Sequence, residues 1–105
     1  MRAVILLILA GTLLASVSHA GEHHIGMAGT AYAPAMVEAK VGDTLVFAND
    51  DTQAHNVLIA TVGFSTDLGK QDPGSQTTLA VRKSGTFDVE CAIHEGMHAR
   101  VVVRP

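Results

Sequence analysis

Cys91, His94 and Met97 stand three residues apart from one another in FDVECAIHEGMHARVVV, residues 87–103. Cys91 is the chain's single cysteine. A thiolate, an imidazole and a thioether on one short segment make a soft donor set of the kind that selects copper. Such a site needs a second imidazole from a neighbouring strand end. His55 answers that need, because it follows the turn-forming residues Asn49 to Gln53 and opens the apolar run HNVLI. Two imidazoles and a thiolate with a weak axial thioether are the donors of a type 1 (blue) copper electron-transfer centre. Zinc held by one Cys and two His is a competing assignment, but thioethers suit Cu(I) far better. A buried Cys acting only as a small apolar residue would leave the register of His55, His94 and Met97 unexplained.

These donors have to be positioned by strands. In TFDVEC, Phe87, Val89 and Cys91 share one face and Asp88 and Glu90 the other. Ala99, Val101 and Val103 repeat the alternation after His98. Period-2 patterning of this kind marks half-buried strands, so Cys91 falls at the core end of one strand and His94 and Met97 in the loop returning to the next. MVEAKVGDTLVFAND, residues 36–50, reads as two β-rich runs around a Gly42-Asp43 turn, and SQTTLAVR, residues 75–82, alternates. Residues 23–30 alternate weakly. The Gly/Pro/Asp-rich stretch from Gly63 to Ser75 reads as a long loop with at most a short helical turn. Short strands at close spacing, with no amphipathic helix and no internal repeat, predict an all-β sandwich.

The chain ends define the compartment. Met1-Arg2 precedes the apolar run AVILLILAGTLLA, and Ser18-His19-Ala20 offers small residues for cleavage after Ala20. Residues 1–20 therefore read as a secretory signal peptide. The rival is an uncleaved membrane anchor, but the run is shorter than the roughly 20 residues that span a bilayer; after cleavage no stable membrane insertion is expected. Residues 21–105 form one small domain, of a size that often needs a metal or disulfide staple. One cysteine makes no internal disulfide. Without Arg2, six Lys/Arg face ten Asp/Glu. That balance, with no basic stripe, excludes nucleic-acid binding.

The pattern GTFDVEC-x2-H-x2-M, preceded by KVGDTLVFAND and AHNV, resembles the plastocyanin/azurin cupredoxins across most of residues 31–103. Its short Cys-x2-His-x2-Met loop is similar to that of amicyanins and pseudoazurins. The resemblance implies a small Greek-key β-sandwich and a single type 1 copper ion bound by His55, Cys91, His94 and Met97. It also implies that Asn56 ties the two ligand loops together. The function implied is that of a monomeric, periplasmic or otherwise exported carrier, shuttling single electrons between a donor and an acceptor redox protein. An oxidase would need further His-rich copper motifs, which the sequence lacks, so an enzyme is not expected. The alternative of a different kind is a protein that sequesters or delivers copper. The loop departs from the resemblance in lacking proline and in placing Glu95 beside His94.

The remaining histidines and methionines have plainer expectations. His98 points outward as a non-ligand, and Met27 and Met36 serve packing. A chain cleaved after Ala20 would start Gly21-Glu22-His23, whose amine, two amides and imidazole suit square-planar Cu(II), with His24 and Met27 close by. The plainer expectation there is a frayed terminus whose histidines bind nothing.

Overall fold

A computed structural model describes residues 20–105. The signal-peptide assignment falls almost wholly outside them. The described residues form nine strands and no helix: β1 Glu22–Ala28, β2 Ala31–Ala33, β3 Met36–Lys40, β4 Thr44–Asn49, β5 His55–Ile59, β6 Thr66–Gln71, β7 Gln76–Ala80, β8 Gly85–Glu90 and β9 His98–Arg104. They pair into a four-stranded sheet, β2-β1-β4-β7, and a five-stranded sheet, β3-β9-β8-β5-β6. The predicted sandwich is what forms. Both sheets are mixed, with β1 parallel to β4 and β3 parallel to β9.

Alternation in the sequence decides which side chains fill the core. Ile25 and Met27 of β1 are buried, as are Leu45 and Phe47 of β4, Val37 and Ala39 of β3, Phe87 and Val89 of β8, and Ala99, Val101 and Val103 of β9. In β5 the same phase buries His55, Val57 and Ile59. An imidazole therefore occupies a position that packing would give to an aliphatic residue. β8 and β9 are antiparallel, with Glu90 opposite His98. Cys91 continues the inward phase of Phe87 and Val89 just beyond the strand. The end of β8 and the starts of β9 and β5 thus converge at one end of the core.

The long loop expected from Gly63 to Ser75 instead contains a strand, β6. β6 pairs with β5 from His55 opposite Gln71 to Ile59 opposite Thr66, with the register shifting between Val57 and Leu58. Its composition hides it: Gly69 takes a φ of 75° that β-patterning does not anticipate, and an edge strand needs little alternation. Gln71, only 4% exposed, secures this irregular strand. Its amide donates to the carbonyls of Leu68 and Gly69 at 3.0 and 3.3 Å, and its Oε1 accepts from the Thr77 hydroxyl of β7.

The start of β1 is fastened rather than frayed. Asp43, buried at the β3–β4 corner, accepts from the Gly21 amide at 2.7 Å and the Lys40 amide at 2.8 Å, and its Oδ2 lies 2.8 Å from His23 Nε2. The His23 hydrogen bond first, then the two backbone donors, lower its carboxyl to about 2. A carboxyl depressed on folding adds stability that is present above its unfolded pKa of about 3.9 and is lost as pH falls towards the folded value. In thermal melts of metal-free protein, Asp43→Asn is therefore expected to be less stable than wild type at neutral pH. The difference should shrink between about pH 4 and pH 2, because an amide oxygen replaces only part of what a carboxylate accepts. A gap independent of pH would show that the Asp43 charge is not what fastens the terminus.

Candidate metal centre

The loop from Asn49 to Ala54 delivers His55. Asn49, 1% exposed, donates from Nδ2 to the carbonyls of Gln53 and Gln71 at 2.9 and 3.0 Å and accepts from the Asp51 amide at 3.0 Å. The fixed loop sets Asp51 Oδ2 2.9 Å from His55 Nε2. Asp51 also accepts from the amides of Gly29 and Thr52. The His55 hydrogen bond, followed by these two amides, lowers the Asp51 carboxyl to about 2. An ionised carboxylate only accepts, so Nε2 of His55 donates to it, and the neutral ring that binds a metal offers Nδ1 as its lone pair. That Nδ1 is buried without a hydrogen-bond partner. Leaving a buried polar atom unsatisfied costs about 1–3 kcal/mol, and an electrophile such as a metal ion removes the penalty. A carboxylate fixing the tautomer and orientation of a histidine ligand is the usual support of metal sites.

The second loop runs between β8 and β9. The amide of Met97 donates to the His94 carbonyl at 3.3 Å and that of Cys91 to the Met97 carbonyl at 3.2 Å. Between them Gly96 adopts a φ of 81°, which fits the third position of a type II turn over His94–Met97 and favours glycine there. The loop lacks proline but is closed by these bonds. Cys91 Sγ accepts from the Asn56 backbone amide at 3.3 Å. Asn56 thus joins the two loops through its main chain. Its own carbonyl accepts from the Tyr32 hydroxyl at 2.5 Å. Burial, chiefly, and then the charges of Cys91 and Glu90 push that hydroxyl above the usual phenol range.

Ligand-capable atoms of His55, Cys91 and His94 all lie within 4.8 Å of one another. His94 Nδ1 is 3.8 Å from Cys91 Sγ, and the two imidazole centroids are 4.8 Å apart at 46°. Two imidazole nitrogens and one sulfur around a shared point form a candidate type 1 copper site. His55 is fully buried, Cys91 is 7% exposed, and Met97, 2% exposed, belongs to the same core cluster. His94 alone is half-buried.

Other sequence expectations resolve individually. His98 points outward, 3.1 Å from Asp88, which also binds Arg100 at 3.0 Å. Met27 is core and Met36 is exposed. His23 and His24 alternate to opposite sides of β1, His23 towards Asp43 and His24 3.6 Å from Glu22 in solvent. The amino-terminal histidines are therefore not gathered into one site, and the backbone a square-planar set would use lies in the β1–β4 ladder. Sequence patterning does not single out Asn49 and Asp51. Their signal is present in the Asn49-Asp50-Asp51 cluster, which reads equally as a turn.

A family model, the cupredoxin-like domain, matches residues 1–103. Over 100 residues the chain is 31% identical to a chloroplastic plastocyanin of Fritillaria agrestis, an alignment covering 83% of this chain and 60% of that one. The chain thus spans about 60% of that relative's length. Among solved structures, a mutant of amicyanin in its reduced state is 26% identical with a TM-score of 0.72, covering 80% of this chain and 83% of that one. A purple cupredoxin from Nitrosopumilus maritimus, 20% identical with a TM-score of 0.70 and covering 77% and 98%, shares the fold. The described residues contain no helix long and apolar enough to cross a membrane. The chain belongs to the cupredoxin-like domain family.

Proposed function

We propose that this protein is an exported one-electron carrier whose single copper ion is held by His55, Cys91, His94 and Met97. The buried Nδ1 of His55, without a hydrogen-bond partner in a residue clustered with Cys91 and His94, carries the reading. Bound there, copper supplies a Cu(II)/Cu(I) couple. The protein's part is to hold the donors still. Asp51 fixes the His55 ring, the Asn56 amide fixes Cys91 Sγ, and the Gly96 turn fixes His94 and Met97. Donors fixed by two hydrogen-bonded loops on a stiff sandwich rearrange little between oxidation states, which suits electron transfer. Three strong donors and a thioether leave little room for a substrate, so the reading is a carrier and not an enzyme. His94, the half-buried donor, is the point of electron entry and exit to protein partners. Glu95, exposed beside it, favours a cationic partner surface. The signal-peptide reading of residues 1–20 supports a periplasmic or otherwise exported protein.

The test cycles the copper-loaded protein repeatedly between ascorbate and ferricyanide in the presence of a copper chelator. A carrier keeps its metal through many cycles. Release to the chelator faster than electron exchange would make it a copper-delivery protein instead.

Met97→Leu is expected to leave copper bound while raising the reduction potential, since the Met97 thioether would be a weak ligand that donates more to Cu(II) than to Cu(I). Each ~59 mV corresponds to a tenfold change in a one-electron equilibrium, and a rise of at least that order is expected by voltammetry. An unchanged potential and spectrum would remove Met97 from the ligand set.

A further inference from the structure

The far end of the sandwich carries a second feature that the metal site does not use. β5 runs from His55 at the metal end to Ile59, and β8 runs from Gly85 at the opposite end towards Cys91. Where the edges β6 and β7 close the two sheets at that opposite end, a groove of about 330 Å³ opens. Ile59, Phe64, Leu79, Val81 and Phe87 line it. Its size lies at the small end of the range for small-molecule sites, which are mostly apolar with a few placed polar groups.

The groove is built and charged. The Phe64 ring stacks against Phe87 with centroids 5.2 Å apart. It lies so close to Gly85 that a Cβ there would meet Phe64 Cζ at 2.7 Å. Glycine at 85, with a φ of 139°, therefore seats the ring. Lys83 Nζ sits 4.6 Å from the Phe64 centroid, and Arg82 also lines the groove. Lys70, Arg100 and Arg104 each have a carboxylate within 3.4 Å. Among the described residues Lys40, Arg82 and Lys83 have none, and of these three only Arg82 and Lys83 line this groove. On a chain with net charge −3, two adjacent cations without carboxylate partners at the mouth of an apolar groove favour an anion that carries an apolar body.

We propose that this groove binds a single-chain amphipathic carboxylate, its tail along the partly buried Phe64 and Leu79 and its head at Lys83 and Arg82. The site lies apart from the copper ligands, and the proposal stands independently of the copper reading. The head group selects for charge sign, because a cationic head would face two like charges. The tail selects for length, because the groove holds only a medium chain.

The experiment titrates metal-free, isotope-labelled protein with decanoate and follows amide resonances. Saturable, one-to-one shifts are expected at Phe64, Val81, Lys83 and Phe87, with the His94 and Met97 amides unmoved. Decyltrimethylammonium should bind more weakly. Lys83→Gln and Arg82→Gln should each weaken decanoate about threefold, as a partly exposed ion pair does, and together about tenfold if additive. Lys83→Arg should retain binding. Absence of saturation, equal binding of the cationic amphiphile, or affinity unchanged in the double variant would each overturn the proposal.

Discussion

Cys91→Ser is expected to abolish the intense visible absorption of the Cu(II)-loaded protein, not merely to reduce it. That absorption is charge transfer from a thiolate to copper, and the chain has one thiol. Cys91 Sγ lies among the His55 and His94 donors and is nearly buried, so no other sulfur of that type can take its place. Met97 carries a thioether, a weaker donor that makes no comparable transition. Serine preserves the shape of the site and can accept the Asn56 amide, so the variant should fold; far-ultraviolet circular dichroism checks that it does. An alcohol remains protonated where a thiol beside a metal ionises, so affinity for Cu(II) should fall as well. The measurement is the visible spectrum together with metal content of wild type and variant. A wild-type protein that binds Cu(II) without colour, or a variant that keeps it, would remove the type 1 assignment.

That Cys91 would point into the core with His94 and Met97 on the returning loop was legible in the sequence, and the reason is periodicity. Phe87, Val89 and Cys91 share a phase, as do Ala99, Val101 and Val103, so the inward direction of the thiol and the return of the chain after Met97 follow from side-chain alternation. His55 was legible because it follows the turn residues Asn49 to Gln53 and opens the run HNVLI. The supports of the site were not. Asp51 and Asn49 work through loop geometry, and a loop reveals its direction only after the strands on either side are placed. β6 escaped for a related reason: an edge strand containing Gly69 at positive φ is specified by its partner β5 and by Gln71, not by its own pattern. The Asp43 anchor joins residues 20 or more positions apart in sequence. Pairing at that distance leaves no local trace, so an ordered β1 looked like a free end.

The difference in burial between the two imidazoles leads to a second large effect. His94→Gly is expected to bleach the protein at low copper, and added imidazole is expected to restore the colour. His55→Gly is expected to bleach it without rescue. His94 is half-buried on the β8–β9 loop, so glycine there opens a hole to solvent that a free imidazole can enter. The Cys91–Met97 and Met97–His94 backbone bonds still close the loop. The free ligand has to replace a tethered one whose effective concentration is in the ~mM range or above, so rescue should need imidazole at about millimolar levels. His55 differs in each respect. It is fully buried, its Nε2 is held by Asp51, and its ring fills a core position in line with Val57 and Ile59. Its removal leaves a cavity enclosed by protein and a carboxylate without its donor. Deleting a large buried side chain costs about 2–5 kcal/mol, a large part of the stability of a small domain. Visible absorption of both variants at fixed Cu(II) and rising imidazole separates the outcomes, with thermal melts recording the stability lost by His55→Gly alone. Rescue of both variants alike would show that the two imidazoles are equally accessible, and rescue of His55→Gly alone would reverse the assignment of His94 as the solvent-facing ligand.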